Sequence, residues 1–427
     1  MPSGEKSGFK LLNFYNNHLE EDLLPFWFRA VDNKYGGIFT CFDNSGSKLI
    51  SENKYTWSQG RFLWLWSRMA RLISDNKLQL DARPFHQDLH RTVKFLEENV
   101  FLENGNCAFL LSNSGEKLEI TEGEGYDISF YADCFVVLGL AEYAGYFGDS
   151  NRYDKALKLY QNIEKRIQEG KFRSEPFPIP DSYKAFAVPM IMLNVVQQLA
   201  DVAQILNHKE YPHLFRASIN YMREIMEDFC LKNYRITEMF YKDPSLHNTL
   251  LACHVNPGHT IEAMGFVMQT AVKSGNLQVV DKATKVIEKA FEIGWDQKFG
   301  GIYHYVDKVG GKPTGERGTS AYENSIEDSW DTKLWWVHAE ALYSTMFAYK
   351  ITGSKNMQKL YDKLHSYTFK VFPNPDKKTG EWIQIRDRRG NPLNKVVALP
   401  VKDPFHIIRS TLLMIDLLIE PQDEIRE

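Results

Sequence analysis

The sequence predicts an all-α fold, a closed (α/α)6 toroid with short β-hairpins on one rim. Three observations carry this. A unit of about seventy residues recurs roughly six times. Each unit runs charged helix, short hairpin, apolar helix. No Pro-, Gly- or Ser-rich linker divides the 427 residues, so a single domain spans 1–427, with its core at about 10–418.

The hairpins are the clearest copies. Asp32–Phe39 (DNKYGGIF) is matched by Asp296–Tyr303 (DQKFGGIY), and each is followed by an Asp, Asp43 or Asp307, at a turn. A Gly-Gly corner leading into alternating apolar residues reads as a short hairpin. Weaker versions occur at Glu103–Phe109 and Lys378–Ile383, and fainter ones near Lys171-Phe172 and Tyr234-Arg235. The apolar helices start near Trp57, Phe130, Val188, His259, Leu334 and His406, at intervals of 73, 58, 71, 75 and 72. The charged helices are typified by Asp154–Gln168 and Asp281–Ile293; the latter places Ala283, Val286, Ala290 and Ile293 on one face. A single unit cannot cover its apolar helix, so neighbours must. Neither terminal unit looks like a polar cap, which favours a closed ring over an open solenoid.

Composition narrows the function. Net charge is −4 with both signs interspersed, which excludes the basic face of a nucleic-acid binder. No apolar run approaches a membrane span, and Met1–Lys10 lacks a secretory h-region. Five cysteines, odd in number and without a CxxC pair, fit a reducing, cytoplasmic setting. Aromatic residues at 13% suit a sugar cleft or a core equally. No phosphate-loop or GxGxxG motif is present; Gly310–Thr314 is a superficial echo. His247, His254 and His259 are spaced unlike a metal site, so no metal is expected.

In such a ring the inner helices line a funnel, and polar groups in their first turns ring its mouth. The candidates are Tyr55, Trp57, Gln59 and Arg61, then Ser129, Tyr131 and Asp133, then Asn194, alone in an apolar stretch. His259 and His406 each follow a Pro-containing turn, in the first turn of an inner helix. There the helix dipole favours a neutral imidazole, while Glu262, three residues after His259, acts in the other direction and can fix the ring's tautomer. Arg409 stands in the same relation to His406. Arg61, amid Phe62, Trp64 and Trp66, and Glu340, between alanines, each need a partner. Of Trp335 and Trp336 at most one is expected to face the funnel, since neighbours diverge by about 100°. His338 is read as structural.

On these residues the chain resembles the N-acylglucosamine 2-epimerase (renin-binding protein) family. The matching stretches are Tyr35–Cys41, Lys54–Arg61, Ala187–Met190, Asn256–Ala263, Lys333–Trp336, and Phe405-His406 with Arg409, in family order over about 14–417. The resemblance implies an (α/α)6 barrel and reversible C2 epimerisation of N-acetylglucosamine and N-acetylmannosamine. It implies a catalytic pair at His259 and His406, a substrate-contacting Arg61, and an inner-helix Trp335 or Trp336 and Glu340. It further implies a homodimer, no cofactor for the chemistry, and ATP or another nucleotide as an allosteric activator. The family pattern has Pro where this chain has Ile408 and Gly at Asp403; both changes bear on the wall beside His406. Relatives of this fold epimerise cellobiose or mannose, or isomerise mannose to fructose. Two further classes compete: a glycoside hydrolase, which would draft Glu262, Glu340 or Asp133 as its carboxylates, and a non-catalytic binding protein.

Overall fold

The computed structural model describes residues 3–420 and the side chains from Gly8 onward; the outermost ends of the 1–427 span lie outside the described residues. Twelve long helices alternate along the described chain. They are α1 (Ser3–Asn17), α2 (Thr56–Ser74), α3 (Arg83–Asn99), α4 (Phe130–Phe147), α5 (Ser150–Gln168) and α6 (Ala187–Ile205). The second half holds α7 (Tyr211–Glu224), α8 (Pro257–Lys273), α9 (Leu277–Gly294), α10 (Trp335–Thr352), α11 (Lys355–Val371) and α12 (Phe405–Ile419).

The even helices form the inner ring. Each packs on the next, α2 on α4, then α6, α8, α10 and α12, and α12 returns to α2. The odd helices lie outside, each packed on an inner helix, with α1 against α12. Burial follows from this. In α9 the buried residues Ala283, Val286, Ala290 and Ile293 form the stripe expected of a helix covered on one side. In α4 almost every residue from Phe130 to Gly145 is buried, because neighbours cover it all round. The α2–α4 crossing is close: a Cβ on Gly60 would lie 2.4 Å from the Phe135 carbonyl oxygen, and one on Gly139 2.5 Å from that of Gly60. α6 is long and apolar enough to cross a membrane, but 72% of its most apolar window is buried in the ring.

The hairpins are minimal. Each Gly-Gly segment is a tight turn closed by one bridge, Val31 to Ile38 and Trp295 to Ile302. Two successive positive φ values, +91° and +83° at Gly36-Gly37 and +77° at both Gly300 and Gly301, explain the paired glycines. Most ladders join successive repeats. β1 (Lys54–Tyr55) pairs antiparallel with β2 (Leu110–Leu111), which continues to β3 (Lys117–Leu118). β4 (Tyr183–Ala185) pairs with β5 (Met239–Tyr241), β6 (His254–Val255) with β7 (Val306–Asp307), and β8 (Lys333–Leu334) with β9 (Ile385–Arg386). Sequence pattern alone does not distinguish these pairings, since a two-residue strand has no periodicity. Near Lys171-Phe172, where the repeat is shortest, the bridge runs from Ser174 back to Ser129.

Candidate active site

All six inner helices and the loops before them border a cavity of about 260 Å³. Trp57, Arg61, His259, Glu262, Trp335, Trp336, Asp403 and His406 border it, roofed by apolar segments around Pro176–Ile179 and Val397–Val401.

His259 is set by the start of α8. Asn256 caps the helix, its Oδ1 accepting from the His259 backbone N–H at 3.1 Å, and Pro257 occupies the first turn. Gly258 leaves room for the neighbouring indole: a Cβ there would stand 2.7 Å from Trp336 Cη2. His259 Nδ1 donates to Glu238 Oε1 at 2.6 Å, which leaves Nε2 without a hydrogen-bond partner among the described residues. Burial lowers the His259 pKa, but the Glu238 charge and hydrogen bond outweigh it and the net shift is upward. The partner that fixes the tautomer is therefore Glu238, not Glu262.

His406 is held in the same way. Its Nδ1 donates to Glu340 Oε1 at 2.9 Å, and Glu340 Oε2 accepts from Arg409 Nη1 at 2.7 Å. Burial would raise the Glu340 pKa, yet Arg409 and His406 pull it below the ordinary value. Glu262, 3.9 Å from His406 Nδ1, is raised by burial and by the Glu340 charge. Arg61 forms a buried ion pair with Asp403 and brings Nη2 to 3.4 Å from His406 Nε2. Its guanidinium also lies over the rings of Phe135, Trp57 and Phe405 at 4.0, 4.9 and 5.0 Å. Trp336 stands between the two imidazoles, its ring centroid 5.3 Å from His259 and 5.9 Å from His406.

Several expected residues fall elsewhere. Tyr55 is buried with Phe109 and Ile128 in a satellite cluster under β1 and β2, because its strand turns it off the funnel. Asn194 sits one turn below Met190 and Ile191, which border the cavity together with Ala187 of the same helix. Glu340 and Arg409 are behind the wall: Glu340 holds His406 and adjoins Glu262, and Arg409 holds Glu340. Trp335 and Trp336 both border the cavity, because the end of α10 projects into the mouth and is wrapped by it. His338 is structural, accepting from the Ile302 N–H at 3.0 Å. Glu238 went unread: it is one acid before a two-strand ladder, 21 residues from His259, at no helical spacing. Asp403, legible only as a departure, is the partner Arg61 required.

Glu262, Glu340 and His406 bring possible ligand atoms within 4.8 Å of one another. Both Glu340 oxygens are already bonded, and two guanidinium groups adjoin the cluster, so the set fits an ion-pair network better than a cation.

A ring of helix pairs with a histidine- and tryptophan-lined cavity at one end belongs to the carbohydrate-active (α/α)6 class. A solved cellobiose 2-epimerase from Bacillus thermoamylovorans B4167 shares this fold, with a TM-score of 0.75 at 19% identity, covering 96% of this chain and 99% of that one. The family model described as N-acylglucosamine 2-epimerase (GlcNAc 2-epimerase) matches residues 37–410, and the chain belongs to that family. The N-acylglucosamine 2-epimerase of Mus musculus is 26% identical over 420 residues, 93% of this chain and 90% of its own length. The cellobiose 2-epimerase of Dictyoglomus turgidum is 24% identical over 413 residues, 91% of this chain and 94% of its own. The protein is a carbohydrate epimerase or isomerase.

Proposed function

We propose that the chain interconverts N-acetylglucosamine and N-acetylmannosamine at C2 by proton transfer between two histidines. The observation that carries this is the matched pair: His259 and His406 each commit Nδ1 to a buried carboxylate, at 2.6 and 2.9 Å, and flank one indole. The mouse relative, named for this substrate, supports the choice of sugar.

The open-chain aldehyde acidifies the C2 proton. One imidazole Nε2 takes it, leaving a 2-acetamido enolate with its charge on O1, and the other returns a proton to the opposite face. The roles exchange with direction. Arg61, beside His406 Nε2, stabilises the oxygen on which charge develops. Nothing in this cycle changes oxidation state overall, so the chemistry runs without a redox cofactor. The same reading takes the enzyme as a cytoplasmic homodimer with a nucleotide as regulator.

The test is N-acetylmannosamine in deuterium oxide, with and without ATP, followed by proton NMR. Deuterium should enter C2 as the epimer forms. Turnover of mannose or cellobiose alone would move the enzyme to a sister activity, and a ketose product would make it an isomerase. His259→Ala and His406→Ala should each cost about 10²- to 10⁴-fold in epimerisation without unfolding. Near wild-type rates in either variant would sink the two-histidine mechanism.

A further inference from the structure

The cavity wall beside His259 has an unusual proton inventory. His304 borders the cavity next to His259, both packing on Trp336, with ring centroids 6.4 and 5.3 Å from it. The Ser329 hydroxyl donates to the Ser325 carbonyl at 2.6 Å, so toward His304 its oxygen can only accept. His304 Nδ1 therefore carries the proton and donates to Ser329 Oγ at 3.1 Å. Burial, aided by the nearby His259, holds the His304 pKa well below the ordinary imidazole value, so Nε2 carries none. The ring is fixed by stacking on Tyr305, centroids 3.7 Å apart. Its Nε2 edge has no partner among the described residues.

The same wall repeats this pattern. His254 Nδ1 donates to the Leu251 carbonyl at 2.8 Å, so its Nε2 accepts the Tyr322 hydroxyl proton at 3.0 Å. Glu238 gives Oε1 to His259, and its buried Oε2 has no partner. His304 Nε2 and Glu238 Oε2 thus stand on this wall as acceptors without a partner among the described residues, while Trp57 Nε1 and Trp335 Nε1 are unpaired donors elsewhere among the residues that border the cavity. Buried acceptors without partners are costly unless a ligand supplies donors.

We propose that His304 is a specificity-determining residue whose Nε2 accepts a hydrogen bond from an N–H or O–H of the sugar, carried at or beside the inverted carbon. This rests on the reaction proposed above. It adds that the substrate class is a neutral sugar presenting a donor at that position.

Steady-state kinetics on His304→Asn and His304→Gln test it. The Asn amide still reaches Ser329 but ends short of the Nε2 position; the longer Gln places an amide oxygen there. His304→Asn should raise KM about 5- to 100-fold, the cost of an unpaired donor, with kcat far less affected. His304→Gln should recover most of that loss. Unchanged KM in both variants, a fall in kcat alone, or a lower melting temperature with wild-type kinetics per folded molecule would each overturn the proposal. Should His304→Asn not fold, His304→Phe, which keeps the stacking on Tyr305, makes the same comparison. Wild-type enzyme is first assayed on N-acetylmannosamine, mannose and cellobiose. If it turns over only one of the last two, the N-acyl reading fails separately, and the variants are scored on the sugar that is used.

Discussion

The two histidines differ in what surrounds them, and pH should expose it. His259 faces Glu238, and its folded pKa is raised. A histidine with a raised folded pKa stabilises the fold fully below its unfolded value of about 6.5, and the gain is lost as pH rises through the folded value. Glu238→Gln removes that gain. The melting-temperature gap between wild type and Glu238→Gln should be widest near pH 6 and narrow toward pH 9. The same substitution lowers the His259 pKa, so the alkaline limb of the kcat/KM profile should move to lower pH. A limb that moves upward, or a gap independent of pH, would show that Glu238 does not tune His259. The sequence pointed to both histidines through their place at helix starts. It did not point to Glu238, because a contact across 21 residues and two elements leaves no local pattern.

At the scale of elements, one missing methyl group joins α8 to α10. Gly258 has an ordinary backbone, but its Cβ would meet Trp336 Cη2 and Val337 Cγ2, both at 2.7 Å. Both distances lie well inside van der Waals contact, so a neighbour must shift. Gly258→Ala should part the two helices at the cavity and cost about 1–3 kcal/mol in stability. Because His259 is the next residue and Trp336 the neighbouring wall, kcat/KM should fall about 10- to 100-fold, the penalty typical of a displacement near 1 Å. Thermal melting and kinetics on that variant decide it; wild-type activity would mean the wall adapts.

Across the whole molecule, the rim is tied together by the same device at corresponding points of the repeat. Lys54 Nζ, fully buried, donates to Asp32 at 2.6 Å and to the Gly36 and Asn113 carbonyls at 2.8 and 2.7 Å. Lys333 reaches Asp296 and the Gly301 carbonyl at 3.4 and 3.3 Å, and burial pulls its pKa down to about 8. Lys402 pairs with Glu381 at 2.7 Å; Glu381 stands where the second glycine of the other turns does, at φ +64°. Each lysine lies just before an inner helix and clamps a turn to it. Lys54→Met keeps the stem but leaves Asp32 buried without its cation, a loss of about 3–5 kcal/mol. Urea unfolding should show it, and the Asp32→Asn, Lys54→Met pair should lose less than the two single changes summed. An additive pair would mean the clamp is not coupled.

The repeat, the alternation of charged and apolar helices, the ring and the positions of His259 and His406 were all legible in the sequence. Each depends on periodicity or on turn chemistry, which is local. Tertiary structure alone decided which strands pair, since ladders of two or three residues join segments tens of residues apart. It also decided that Glu340 and Arg409 support His406 from behind, that Tyr55 turns away, and that Asp403 answers Arg61. Closing a ring brings the starts of six helices to one place, and which side chains then meet depends on the rotation of each helix about its axis. That rotation is set by packing on neighbours, such as the Gly60–Gly139 crossing, and no single segment encodes it.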